Sequence, residues 1–259
     1  MNVFAKTRTK AGPVVAVVLL LAGMFAAPAI AGEAHVAVAA NFTAPAKEIA
    51  SAFEVETGHH VLLSFGATGQ LYAQIRQDAP FEVFLAADAA RPARALEEGI
   101  AVAGSGFTYA VGRIVLWSAD GDLVTGGDTL RTGSFEKIAV ANPETAPYGA
   151  AAVEAMKALG VYDALKGKFV QGNNIAQTFQ FVETGNAELG FVAASQVADS
   201  DAGSRWDVPV GLYAPIRQDA VLLAKGEGNE AASAFLEFLK GPKATAVIER
   251  YGYGVGPAD

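Results

Sequence analysis

The stretch Ser64-Phe65-Gly66-Ala67-Thr68-Gly69-Gln70-Leu71 decides the fold class. The apolar residues 61–63 precede it like a short buried strand, and Leu71 and Ile75 follow it at helical spacing. The pattern predicts a strand, a glycine-bracketed turn and a helix that begins at or beside Thr68, because a hydroxyl is favoured at a helix start. Such a turn aims free backbone N–H groups and the positive end of a helix dipole at one point. An anion site is therefore expected there.

Three further turns of the same kind follow predicted strands and open predicted helices. The four turns are residues 40–42, 67–69, 146–149 and 174–176. None of them carries Lys or Arg, whereas Asn41, Thr68 and Tyr148 add neutral side-chain donors. If the turns converge, they form a dry pocket with donors but no spare acceptors. Such a pocket favours a fully deprotonated tetrahedral dianion, because a ligand hydroxyl would find no acceptor.

The first 31 residues have the features of a secretory signal peptide. Lys6, Arg8 and Lys10 give a basic start, an apolar run covers 14–27, and residues 29–31 form a small-x-small cleavage site. The apolar run is short for a membrane anchor, which is the alternative interpretation. We therefore expect cleavage near Gly32 and a protein that resides in the periplasm and is not embedded in the membrane.

Composition excludes several classes of protein. The chain has 19 basic and 27 acidic residues, and loss of the three basic residues of the signal peptide leaves a net charge of −11. Nucleic acid and anionic lipid are held by clustered Lys and Arg, so neither is an expected partner. The sequence contains no Cys and three His, which excludes disulfides and thiolate-bound metals and argues against a transition-metal cage.

Strands and helices alternate along the chain, which predicts an α/β protein with largely parallel sheets. Two extended apolar segments, at 109–117 and 214–225, are long enough to cross between two lobes. We therefore expect a two-lobed periplasmic-binding-protein fold with a two-strand hinge. Lobe 1 comprises 33–111 plus 218–259, and lobe 2 comprises 112–217. The ligand is expected in the cleft between them, beyond the carboxyl ends of the strands.

Six pieces of the sequence carry a resemblance to a known family. They are Val38-Ala39-Ala40-Asn41-Phe42-Thr43, Ser64 to Leu71, Phe84-Leu85-Ala86-Ala87-Asp88, Asn142-Pro143-Glu144, Glu188-Leu189-Gly190-Phe191-Val192, and Leu239-Lys240-Gly241-Pro242 with Arg250-Tyr251-Gly252. At these residues, and over essentially all of the mature chain, the sequence resembles the periplasmic molybdate-binding proteins of ABC importers. The resemblance implies a binding protein rather than an enzyme, with molybdate or tungstate as ligand, no cofactor, and a membrane permease as partner. We expect a monomer.

The resemblance also implies a set of oxyanion-binding residues: Asn41, Thr68, Tyr148 and Ile175. Asn41 and Thr68 stand where many members have serines, and Tyr148 and Ile175 stand where members offer a backbone N–H. These residues would contact the metal only through the oxygens of the oxyanion. Ala193 occupies a position where better-known members have a tyrosine hydroxyl on the ligand. The Tyr148 hydroxyl could replace it, as in a subgroup of the family.

Two alternatives stay open from the residues alone. The first is a binding protein for another tetrahedral oxyanion, sulfate or phosphate, because pocket chemistry does not fix the central atom. The second is a dinucleotide-binding enzyme, since Gly66-Ala67-Thr68-Gly69 and Asp88 have the spacing of the dinucleotide fingerprint. Tyr72 at the third glycine position weakens the second alternative, because it blocks close packing of the helix on the strand. Asp88 is instead interpreted as a helix cap, since a carboxylate would repel an oxyanion.

Overall fold

The computed structural model describes residues 1–3 and 31–256, and the chain from Ala31 on forms one compact unit. The predicted signal peptide therefore lies, for residues 4–30, outside the described residues. The strands are β1 (Glu33–Ala39), β2 (His60–Gly66), β3 (Val83–Leu85), β4 (Phe107–Gly112), β5 (Ile114–Ser118), β6 (Ile138–Ala141), β7 (Phe169–Gly172), β8 (Leu189–Ala193), β9 (Ser204–Asp207) and β10 (Ile216–Leu222). The helices are α1 (Thr43–Thr57), α2 (Thr68–Arg76), α3 (Ala90–Glu97), α4 (Thr129–Thr132), α5 (Pro147–Ala158), α6 (Tyr162–Leu165), α7 (Ile175–Glu183), α8 (Glu230–Lys240) and α9 (Pro242–Arg250).

The strands form two sheets of five, which confirms the two-sheet α/β fold with two crossing strands. The orders are β2-β1-β3-β10-β4 and β7-β6-β8-β5-β9. The chain passes from the first sheet to the second between β4 and β5, at Arg113, and returns between β9 and β10. The lobe boundaries 33–111 with 218–259, and 112–217, stay a prediction.

The sheets are mixed, whereas largely parallel sheets were expected. In each sheet two strand pairings are parallel and two are antiparallel. The antiparallel pairings all involve β10 or β5, the strands that enter a sheet from the other one. These strands arrive without the helical crossover that forces neighbouring strands to be parallel.

Each sheet is covered by helices on both faces, because the helices carry apolar residues at three- and four-residue spacing. In α1 the buried residues include Ile49 and Phe53, and Phe53 packs edge-on against Phe235 of α8 with ring centroids 5.3 Å apart. Helix α2 buries Leu71 and Ile75 in a separate cluster on the opposite face of the first sheet. Helix α1 ends at Thr57, and Gly58 caps it with a φ of +74°, which suits glycine.

Strand register brings the four turns together in pairs. Strands β1 and β2 are parallel with Ala39 opposite Gly66, so the turns after them leave the same edge of the first sheet. Strands β6 and β7 are parallel with Ala141 opposite Gly172, which gives the second sheet the same arrangement. In the described part of the chain, no helix is long and apolar enough to cross a membrane.

Candidate functional site

The four turns meet at one small cavity of about 190 Å³. All four predicted site residues, Asn41, Thr68, Tyr148 and Ile175, line it. The complete lining is Ala39, Ala40, Asn41, Gly66, Ala67, Thr68, Ala87, Ala146, Pro147, Tyr148, Asn174 and Ile175. It contains residues from both sheets' turns and no acidic or basic side chain. Its contents are therefore surrounded by dipoles and apolar groups only.

Backbone N–H groups are the main donors of this cavity. Thr68 and Ile175 are the first residues of α2 and α7, Tyr148 is the second residue of α5, and Asn41 lies in the 3-10 turn Ala40–Phe42. N–H groups at the start of a helix have no carbonyl one turn earlier to bond. Within the described residues, the N–H groups of these four residues have no backbone or side-chain acceptor. They are available to a ligand.

The Thr68 hydroxyl is a further donor. Its oxygen accepts a hydrogen bond of 3.0 Å from the Ala87 N–H, and the side chain is 1% exposed. A hydroxyl has one hydrogen to give besides the lone pairs on its oxygen. Ala87 occupies one of the two lone pairs, and among the described residues the hydroxyl hydrogen is given to no protein acceptor. The hydrogen is therefore available as a donor, which is the role expected of Thr68.

The Asn41 side chain differs from the free donor that the sequence predicts. Its Nδ2 donates to Oε1 of Gln218 at 2.8 Å and to the Tyr253 hydroxyl at 3.0 Å, and the Tyr148 hydroxyl lies 3.3 Å away. An amide nitrogen has two hydrogens, so the two nearer acceptors use both. The side chain is held by the protein, and Asn41 offers the cavity its backbone N–H.

The Tyr148 hydroxyl likewise has a partner in the protein. It accepts a hydrogen bond of 3.0 Å from Nε2 of Gln218, and it lies directly over Gly112. Burial raises the pKa of the Tyr148 hydroxyl well above its ordinary value, and the neighbouring phenols Tyr253 and Tyr109 raise it further. Tyr148 therefore stays neutral. The Tyr148 side chain is 2% exposed, so it is part of the core and not of the surface.

Sequence reasoning missed a buried polar cluster behind the cavity. We call Asn41, Tyr109, Tyr148, Ser195, Gln218 and Tyr253 the hinge cluster, because Gln218 lies on the returning strand β10 and Tyr109 on the outgoing strand β4. One signal could have found Gln218. Gln218 lies on the same buried face of β10 as Ile216 and Ala220, and an apolar residue is expected at such a position.

The rim of the cavity joins the turns of the two sheets directly. The Gly69 N–H donates to the Thr145 carbonyl at 2.8 Å, and Nη2 of Arg91 donates to the Glu144 carbonyl at 3.0 Å. Asp88 caps α3 by accepting the Arg91 N–H at 2.9 Å, and it pairs with the Arg91 guanidinium. This confirms its interpretation as a structural cap.

The geometry argues against a dinucleotide site. A dinucleotide needs a cleft of several hundred Å³, and the cavity over α2 is far smaller. Asp88, which would bind a ribose, is occupied by Arg91, and Tyr72 is buried where the fingerprint requires glycine. A wider groove of about 790 Å³ adjoins the cavity at Ala87 and Pro147. Its arginines, Arg91 and Arg217, contact the protein acceptors Glu144 O and Thr108 Oγ1.

The model of the bacterial extracellular solute-binding protein family matches residues 34–254. The chain belongs to this family. It is 58% identical over 243 residues to the molybdate-binding protein ModA of Azotobacter vinelandii, covering 92% of this chain and 96% of that protein. It is 55% identical to the molybdate-binding protein ModA of Rhodobacter capsulatus, covering 92% and 94%.

Solved structures give the same fold. The periplasmic molybdate-binding protein of Azotobacter vinelandii superposes with a TM-score of 0.84 and 38% identity, covering 86% of this chain and all of that one. The sulfate-binding protein SubI of Mycobacterium tuberculosis reaches a TM-score of 0.71 at 12% identity, over 86% of each chain. The second likeness concerns the fold alone.

Proposed function

We propose that this chain is a periplasmic substrate-binding protein that captures molybdate or tungstate and delivers it to the permease of an ABC importer. One observation carries the proposal: four helix-start turns, two from each sheet, enclose a cavity of about 190 Å³ with no charged side chain. Relatives that are 55–58% identical over 92% of this chain are named molybdate-binding proteins, which supports the choice of oxyanion.

In this proposal, neutral donors hold the ligand. The backbone N–H groups of Asn41, Thr68, Tyr148 and Ile175, together with the Thr68 hydroxyl, each donate to an oxyanion oxygen. The metal atom is reached only through those oxygens. A protonated oxyanion is disfavoured because its O–H finds no free acceptor, a loss of about 1–3 kcal/mol for a buried unpaired group.

Delivery follows from lobe closure. The two lobes, 33–111 with 218–259 and 112–217, close over the ligand about the strands that cross at Arg113 and before β10. Closure presents both lobes together, so the permease distinguishes the loaded form from the empty one. In this proposal the protein is a monomer without a cofactor. A binding role rather than catalysis fits a cavity whose lining carries no acidic or basic side chain.

Isothermal titration of the mature protein with molybdate, tungstate, sulfate and phosphate tests the proposal. We expect tight one-to-one binding of molybdate and tungstate that excess sulfate does not displace. Heat with sulfate or phosphate only would move the function to another tetrahedral oxyanion on the same fold. No heat with any of the four would refute oxyanion capture altogether.

A further inference from the structure

Gln218 is a fully buried polar side chain that does not line the cavity. Its exposed fraction is 0%, and its amide contacts three side chains from three different elements. Oε1 accepts from Nδ2 of Asn41 at 2.8 Å and from the Tyr109 hydroxyl at 3.1 Å. Nε2 donates to the Tyr148 hydroxyl at 3.0 Å. A polar group buried so deeply is costly unless its hydrogen bonds are made, and here they are made to two residues that do line the cavity.

The polarity of this amide fixes the direction of the hydrogen bonds around it. Its acceptor end faces the turn that holds Asn41, and its donor end faces helix α5 at Tyr148. A carboxylate would present acceptors at both ends, and an aliphatic side chain would present neither. The glutamine therefore joins a turn of the first sheet to a helix of the second: it accepts a hydrogen bond from the turn and donates one to the helix.

The carbonyl of Asn41 is held as firmly as its side chain. The Tyr253 hydroxyl donates to this oxygen at 2.8 Å and the Ser195 hydroxyl at 3.0 Å. A carbonyl oxygen that turned into the cavity would repel an anion. With its carbonyl and its side chain both engaged, the turn at Asn41 has one group left to present, its N–H.

We propose that Gln218 is a positioning residue that holds Asn41 and Tyr148 on opposite sides of the cavity in the arrangement that aims their N–H groups at one oxyanion. The inference rests on the proposed oxyanion-binding function and adds a residue to it. Gln218 acts through Asn41 and Tyr148 and does not touch the ligand. Because it lies on the returning strand β10, it also ties the cavity to the hinge.

A double-mutant cycle in ligand binding tests this role. Gln218→Leu leaves the Tyr148 hydroxyl and the Asn41 amide without their partner, so molybdate affinity should fall about tenfold to a hundredfold. Tyr148→Phe alone should cost less, roughly tenfold or below. The double variant should bind no more weakly than Gln218→Leu alone, because both ends of the lost hydrogen bond are then apolar. Stopped-flow kinetics should place the loss in a faster dissociation rate.

Two controls separate positioning from general damage. Gln171→Leu makes the same change on the exposed face of β7 and should leave affinity unchanged. Thr68→Val combined with Gln218→Leu should give losses that multiply, since Thr68 has no bond to Gln218. If Gln218→Leu lacks the near-ultraviolet dichroism of the unliganded wild type, Gln218→Met, which keeps the chain length, replaces it in the cycle.

The outcomes distinguish this inference from the function beneath it. Failure of the wild type to bind molybdate, tungstate, sulfate or phosphate refutes the function and the positioning role with it. If the wild type binds and the affinities of the Gln218 variants lie within twofold of its own, the positioning role alone is overturned. Fold-losses that multiply between Gln218→Leu and Tyr148→Phe overturn it as well, because the two residues would then act independently.

Discussion

Gly112 provides the sharpest test of how the cavity is built. It ends strand β4, beside the crossing between the sheets, and a Cβ there would lie 2.1 Å from the Tyr148 hydroxyl oxygen and 2.7 Å from Nε2 of Gln218. Its φ lies outside the left-handed region, so the backbone itself accepts alanine. Only the contact forbids a side chain. Gly112→Ala therefore displaces the Tyr148 hydroxyl and the Gln218 amide beside it, and little else.

The size of the effect follows from the distances. Ordinary contact begins near 3.4 Å, so the hydroxyl must retreat by about 1.3 Å from a methyl placed at 2.1 Å. The hydrogen bond to Gln218, now 3.0 Å, is then broken. An unpaired buried hydroxyl costs about 1–3 kcal/mol and overpacking a further 1–3 kcal/mol or so. In the proposed lobe closure, Tyr148 moves away from Gly112 when the lobes open, so the cost falls on the closed, loaded form.

We therefore expect Gly112→Ala to weaken molybdate binding by about thirtyfold or more, which corresponds to roughly 2 kcal/mol. Isothermal titration measures the affinity, and stopped-flow dissociation should show a faster release. The melting temperature without ligand should change little, whereas the ligand-induced increase should shrink. Gly167→Ala is the matched control, because its Cβ meets nothing within 4 Å. An affinity within twofold of wild type would refute the contact between the Tyr148 hydroxyl and Gly112 on which this prediction rests.

Three further predictions concern single side chains. Thr68→Val should lower molybdate affinity about tenfold by removing a hydroxyl donor, whereas Thr68→Ser should retain it; equal titration curves for the two variants would place the hydroxyl outside the site. Asn41→Asp should nearly abolish binding at neutral pH, since it places a buried negative charge behind the cavity and removes the donor to Gln218 Oε1 that holds the turn; an affinity near that of wild type would contradict this. Burial raises the pKa of Tyr253 from about 10 to about 12 in the folded state, so its contribution to stability is complete below pH 10 and is lost as pH rises toward 12. Tyr253→Phe should reduce the loss of unfolding free energy at alkaline pH by up to about 3 kcal/mol, as measured by urea unfolding. An unchanged pH profile would show that Tyr253 is not buried as described.

Elements with local signals could be predicted from the sequence. Strand Ile138–Ala141 and helix Glu230–Lys240 have the expected bounds, because their apolar periods and their flanking residues agree. Strand Ser204–Asp207 was not predicted. Its sequence alternates without an apolar face, and it is an edge strand whose existence depends on β5 beside it.

The cavity shows the same division between local and tertiary signals. Each turn could be found in isolation, because a helix start requires only a few neighbouring residues. The hinge cluster could not, since Asn41 bonds Gln218 across 177 residues and Tyr253 across 212. No periodicity reports such a pairing. The hydrogen bonds that engage the Asn41 and Tyr148 side chains were therefore the part of the site that the sequence could not predict.

The hinge cluster explains how a cavity built from protein backbone can present donors alone. Every N–H group that faces the ligand belongs to a chain that also carries oxygens, and each of these would repel an anion if left free. Three oxygens of the turns and of the cluster behind them accept hydrogen bonds from the protein: Asn41 O from Tyr253 and Ser195, Gln218 Oε1 from Asn41 and Tyr109, and Thr68 Oγ1 from Ala87. The turns supply the donors, and the buried cluster engages the acceptors. The cavity thus selects an oxyanion because hydrogen-bond donors point toward it, while these oxygens already accept hydrogen bonds from the protein.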